Sequence, residues 1–308
     1  MRWMAVLMAV FQFGCANGQL PATFPTPEQR TSTSLDTVLA RNLDAPKPVE
    51  RAGTRSTNGS TTHARELLSL SPEMKALVDS IDPSLSPKQR FRRLLRTLKM
   101  QHFELEYDLN STTTASEAFA LQRGNCISFA ALIVALAREV GLEAHFNQVH
   151  APVERRTISS GRGQLLVQNF LHINAEVSLG WTTRIFEFNF EPRFNYRHQV
   201  LSDATVQSLY LNNRALEMVK LKQHDDALSL LEEALTLTPD ASLLWNSLGY
   251  AYRQAGNLEI AELSYTRALA LDDKNTAAEN NLRWVYQLQS TRSLSRSNDE
   301  PDHSGKES

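Results

Sequence analysis

The sequence predicts an α+β domain, a buried helix packed on an antiparallel sheet, followed by an all-α repeat module. Three observations carry that prediction. From Gly124, the stretch GNCISFAALIVALAREVGLEA holds a run of about fifteen residues that is apolar on nearly every face of a helix and stops at Gly141, which places that helix at the centre of a core. Three strand-like segments follow it. Residues 208–275 then repeat with a period of 34. At 308 residues and 42% hydrophobic content, the chain has room for two folded units with tails.

The chain opens on Arg2 and an apolar stretch from Trp3 to Phe13, too short to cross a bilayer as a helix, so residues 1–15 read as a signal peptide. Gly14-Cys15-Ala16 resembles the lipobox of bacterial lipoproteins, although Gln12 and Phe13 depart from its usual leucine and small residue. The resemblance implies lipidation at Cys15 and an exported protein held to the membrane by an N-terminal lipid anchor, in the cell envelope and facing the periplasm. Simple secretion and an uncleaved anchor are the alternatives. Residues 16–64 are rich in Pro, Ser, Thr, Gly and Asn and cannot bury enough apolar surface to fold, which makes them a disordered tether.

The α+β domain is expected over 65–200. Leu67, Leu68, Leu70, Met74, Leu77 and Ile81, then Phe91, Leu94, Leu95 and Leu98, have helical spacing, and Asp82-Pro83 with Ser86-Pro87 divides them into two helices. Asn125 is a good N-cap for the buried helix and Gly141 a good C-terminal glycine, so Cys126 falls in the first turn. Strands are expected at 144–149, 165–177 and 184–190, with 154–163 a polar loop. A short turn around Leu179-Gly180-Trp181 makes the last two strands an antiparallel hairpin.

The period of 34 is that of a helix-turn-helix tetratricopeptide unit. The second copy supplies Trp245, Leu248, Gly249, Tyr252, Gly256, Ala261, Tyr265 and Ala268; the first supplies Leu211, Ala215, Met218, Ala227, Leu231, Ala234 and Pro239. The first copy lacks the glycine at the helix turn. Residues 281–287 read as a capping helix, so the repeat module is expected over 205–290, with 291–308 a disordered tail.

Cys126 is the one cysteine within the region expected to fold. A thiol attacks as thiolate, and the first turn of a helix favours that anion through its free N–H groups and positive end, which can also receive an oxyanion. His172 is the candidate base. Ile173, Ala175 and Val177 should face the core, leaving His172, Asn174 and Glu176 on the other face. A turn centred on Leu179-Gly180 sets His172 opposite Glu187; a turn at Gly180-Trp181 sets it opposite Asn189. His145 and His150 compete for the role of base.

AFALQRGNCISFAALIVALAREVGLEAHFNQV is similar to the nucleophile helix and following strand of the transglutaminase-like superfamily, whose architecture is shared with papain-type cysteine proteases. The resemblance covers about residues 90–195. It implies Cys126 as nucleophile, His172 as base and Glu187 as the orienting acid, where the family usually has aspartate. It also implies acyl transfer or hydrolysis at amide bonds of proteins or peptides through a Cys126 thioester. The rival reading is a non-catalytic envelope scaffold or adaptor whose repeats hold a protein partner. A metal site of Cys126 with His145, His150 or His172 lacks paired ligand spacing, and no cofactor-binding residues stand out. With a net charge of -2, and the basic run from Lys88 to Lys99 read as a solvated helix face, no nucleic acid partner is expected.

Overall fold

The computed structural model describes residues 67–150, 158–159, 165–166, 172–188 and 196–299. The expected signal peptide and tether, Cys15 and Asn189 lie outside them. Two compact units divide between Pro239 and Asp240.

The first unit begins with α1 (Pro72–Asp79) and α2 (Pro87–Met100). Each starts on a proline behind a serine cap, Ser71 and Ser86, and Gln89 completes a capping box on the second. Their apolar stripes bury Met74 and Val78, then Phe91, Leu94 and Leu98. Next, β1 (Glu106–Tyr107) pairs in parallel with β2 (Arg123–Gly124) on either side of α3 (Ala115–Leu121). These three pieces are too short to leave a periodic signal. Thr114 and Glu117 form the capping box of α3, which ends on Gln122 in the left-handed region.

Helix α4 (Cys126–Glu139) buries every residue from Ile127 to Ala137, as an all-apolar helix must. Phe129, Leu132 and Leu136 are essentially inaccessible, and each such side chain stabilises the fold by roughly 1.5–3 kcal/mol. Gly141 ends the helix with φ +88°.

The helix packs on an antiparallel sheet made of β3 (Ala144–His150), β6 (His172–Ser178), β7 (Thr183–Phe186) and β8 (Arg197–Leu201), in the order β7-β6-β3-β8. A separate small hairpin joins β4 (Ile158–Ser159) to β5 (Leu165–Leu166). Of the expected strand over 165–177, residues 165–166 pair with 158–159, which fall in the expected polar loop 154–163, and 172–178 lie in the main sheet, while 167–171 lie outside the described residues. Strand β8 escaped the pattern because RHQVL carries only two apolar residues; its place is set by backbone pairing with β3, Val149 facing His198. Gly180, with φ +81°, and Trp181 form the two-residue turn between β6 and β7, closed by the Leu179 amide donating to Thr182 O at 2.7 Å.

Helices α5 (Asp203–Lys220) and α6 (His224–Leu237), the first repeat copy, belong to this unit, so its compact body runs past the boundary expected near 200. Two polar ties explain why. Arg138 at the end of α4 forms a two-pronged ion pair with Asp203 at 2.6 and 3.0 Å. Glu217 accepts from the Thr112 amide at 3.2 Å, ahead of α4.

The second unit holds α7 (Ser242–Gln254), α8 (Leu258–Leu271) and α9 (Thr276–Asp299). A β-carbon on Gly249 would come within 2.7 Å of the Tyr265 ring, so the glycine makes room for the tyrosine. One period earlier the corresponding pair is Ala215 and Leu231, both buried. The turn glycine Gly256, with φ +85°, is matched one period earlier by Lys222, with φ +62°. Helix α9 continues through the segment expected to be disordered from 291, as far as Asp299. Burial of Ala278 and Val285 anchors its first turns, and no proline or glycine then stops propagation before Pro301. Among the described residues no helix is long and apolar enough to cross a membrane.

Candidate active site

Cys126 is the first residue of α4, and the loop before it is tied to the helix almost atom by atom. The Asn125 side chain caps the helix by accepting from the Ser128 amide at 3.2 Å, while its Nδ2 donates to Thr112 Oγ1 at 2.8 Å and its backbone amide to Ser111 O at 3.0 Å. Ser128 Oγ in turn accepts from the Thr113 amide at 2.8 Å. Gly124 is a steric requirement: a β-carbon there would lie 2.6 Å from Ser128 Cβ. Local bonding and close packing thus present the thiol at a helix N-terminus.

Four groups favour charge on the Cys126 sulfur. In order of effect they are the Ile173 backbone, the Tyr107 hydroxyl and the backbone amides of Ile127 and Cys126. Burial acts the other way and is the larger effect, so the thiol is held above its ordinary range, although the residue as a whole keeps partial exposure. The helix N-terminus taken alone predicted the opposite direction. Burial, and then the adjacent sulfur, push the Tyr107 phenol up as well, so it keeps its proton at neutral pH and its O–H donates a hydrogen bond to the sulfur. Nothing in the sequence around a two-residue strand singles out Tyr107.

On the sheet, His172 Nε2 lies 2.7 Å from Glu187 Oε2, with both side chains nearly buried. The turn is the one at Gly180-Trp181, and the register pairs Ala175 with Phe186. One step further along, Glu187 falls opposite Asn174 rather than His172. Its carboxylate reaches diagonally to His172 while its other oxygen accepts from Asn174 Nδ2. An aspartate, one methylene shorter, would not make that reach from the same position. His145 is elsewhere: its Nε2 meets Glu143 at 3.1 Å on an exposed stretch, and its register partner is Glu176. His150 ends β3 opposite Arg197.

The Phe129 ring, one turn into α4, links the two ends of the site. Tyr107 packs edge-on against it at 6.2 Å and Phe188, next to Glu187, at 5.4 Å. Among the described residues no cluster of three His, Cys, Asp or Glu side chains could hold a metal ion.

Residues 75–182 match the family described as the transglutaminase-like superfamily, and residues 243–275 match the tetratricopeptide repeat. The heat shock protein STI1 of Saccharomyces cerevisiae (strain ATCC 204508 / S288c) is 35% identical over 88 residues, which are 29% of this chain and 15% of that protein. This chain therefore spans about a seventh of the length of that curated relative. A solved structure described as the first TPR of Spaghetti (RPAP3) bound to the HSP90 peptide SRMEEVD is 29% identical, covers 27% of this chain and 66% of that chain, and has a TM-score of 0.26.

Proposed function

For a chain in which a transglutaminase-like domain precedes a tetratricopeptide repeat, we propose cysteine-dependent acyl chemistry on amide bonds of proteins or peptides. The observation that carries this reading is the His172–Glu187 hydrogen bond at 2.7 Å, next in sequence to Ile173, whose backbone bonds the Cys126 sulfur. Because burial keeps the thiol protonated at rest, His172 takes its proton during attack rather than beforehand. Glu187 holds Nε2, so Nδ1 is the nitrogen that receives that proton. The sulfur bonds to the amide carbon, and the resulting oxyanion is stabilised by the N–H groups at the start of α4 and by the Tyr107 hydroxyl. The carbon–nitrogen bond breaks as His172 protonates the leaving amine. Water or a second amine, deprotonated by His172, then attacks the thioester and restores the thiol.

The helical repeats supply a surface for a protein partner, since stacked helix pairs expose extended faces suited to peptides. The apolar segment ending at Cys15 supports export and lipid anchoring, and mass spectrometry of the mature N-terminus tests that part. The chemistry is tested by incubating the full chain with a protein mixture and a biotinylated primary amine. Covalent incorporation or new peptide termini, absent with Cys126→Ser, is the expected result; neither product, or products independent of Cys126, would overturn the reading.

A further inference from the structure

The polar row that holds His172 continues across the sheet in the other direction. Register sets Asn147 of β3 opposite Asn174 of β6, whose Nδ2 in turn donates to Glu187. The Asn147 amide nitrogen lies 2.8 Å from His198 Nδ1 on β8. Both asparagines are 0% exposed, and each leaves its amide oxygen buried with no hydrogen-bond partner. A buried orphan acceptor costs about 1–3 kcal/mol, so two of them on register-paired residues call for a physical reason.

The nitrogen and oxygen of a side-chain amide exchange places by a half-turn, and the hydrogen-bond network decides between the two settings. Asn174 cannot turn, because its nitrogen serves the Glu187 carboxylate, which accepts and does not donate. Asn147 can. Turned, its oxygen would accept from His198 Nδ1–H, and its nitrogen would be free to donate to the orphan oxygen of its register partner Asn174.

We propose that His198, Asn147 and Asn174 form one directed hydrogen-bond row in which every link donates toward Glu187, fixing its carboxylate in the rotamer that meets His172. Asn147 and Asn174 are then positioning residues acting through Glu187. Their bearing on catalysis rests on the acyl-transfer reading above, whereas the row itself does not. It requires a proton on His198 Nδ1 when the ring is neutral, while the arrangement with Asn147 unturned requires Nδ1 to accept.

Nitrogen-15 NMR of the full chain labelled in histidine reads this directly. At a pH of about 8.5, two units above the usual histidine value, His198 should show a protonated Nδ1, and His172 a slowly exchanging Nε2–H resonance. Asn147→Leu, close in volume, should return His198 to the Nε2–H form, and Asn174→Leu should speed exchange of the His172 proton at least tenfold. An unprotonated Nδ1 on His198 in the wild-type chain overturns the proposal, and needs no variant to fold. None of these signals depends on Cys126. Loss of thiol chemistry with the predicted tautomer sinks only the functional reading, and the converse result sinks only the row.

Discussion

The candidate site has two ends built in different ways. At the helix end, Cys126 is placed by neighbours in sequence: Asn125 caps α4, Ser128 is one turn away, and Gly124 packs on it without a side chain. At the sheet end, His172 is bonded by Glu187, which reaches it from beyond the neighbouring strand and is itself held by Asn174. The helix end is woven into backbone bonding and close packing, so damage there should appear first in stability. The sheet end is held by bonds between side chains, so damage there should appear first in chemistry.

The largest expected effect is at the sheet end. Glu187→Asp keeps the charge but loses the diagonal reach, and Glu187→Gln keeps the reach but loses the charge. Either should slow acylation by p-nitrophenyl acetate by on the order of 10²-fold. A large stability loss with unchanged acylation would erase the distinction between the ends. At the helix end, Gly124→Ala forces a β-carbon against Ser128 and should destabilise by about 1–3 kcal/mol in denaturant titration. Asn125→Ala removes the cap and the Thr112 partner and should cost about 1 kcal/mol; a cost near zero would mean that the loop is held by other means. The smallest change joins the two ends. Tyr107→Phe removes a hydrogen bond that favours the thiolate, so the inflection of Cys126 alkylation by iodoacetamide, already above the ordinary thiol range, should move further up in pH. A downward move would show that Tyr107 does not donate to the sulfur.

The same contrast explains what could be read from the sequence. The apolar run over 127–137, the Asn125 cap and the repeat period are local patterns, and α4 and α5 to α8 follow them. The register of β6 on β7 turned on which dipeptide makes the turn, and Gly180-Trp181 and Leu179-Gly180 differ by one residue. Even the right turn would have pointed to Asn189, because strand alternation says nothing of a long side chain reaching to its diagonal neighbour. Tyr107 lies in a strand held by Arg123 and Gly124 rather than by a pattern of its own. The direction of the thiol shift needed the whole core, since the helix end favours the thiolate and only the surrounding burial reverses that.

In the proposed chemistry Cys126 is a nucleophile whose proton passes to His172 during attack. It is tested most directly by the burst of p-nitrophenolate from p-nitrophenyl acetate at pH 7, with the acetyl group located by peptide mass spectrometry. The wild-type chain should release about one equivalent and carry acetyl on Cys126, and His172→Ala should slow the burst by about 10²- to 10⁴-fold with the fold intact. An equal burst in His172→Ala, or acetyl found elsewhere than on Cys126, would contradict it.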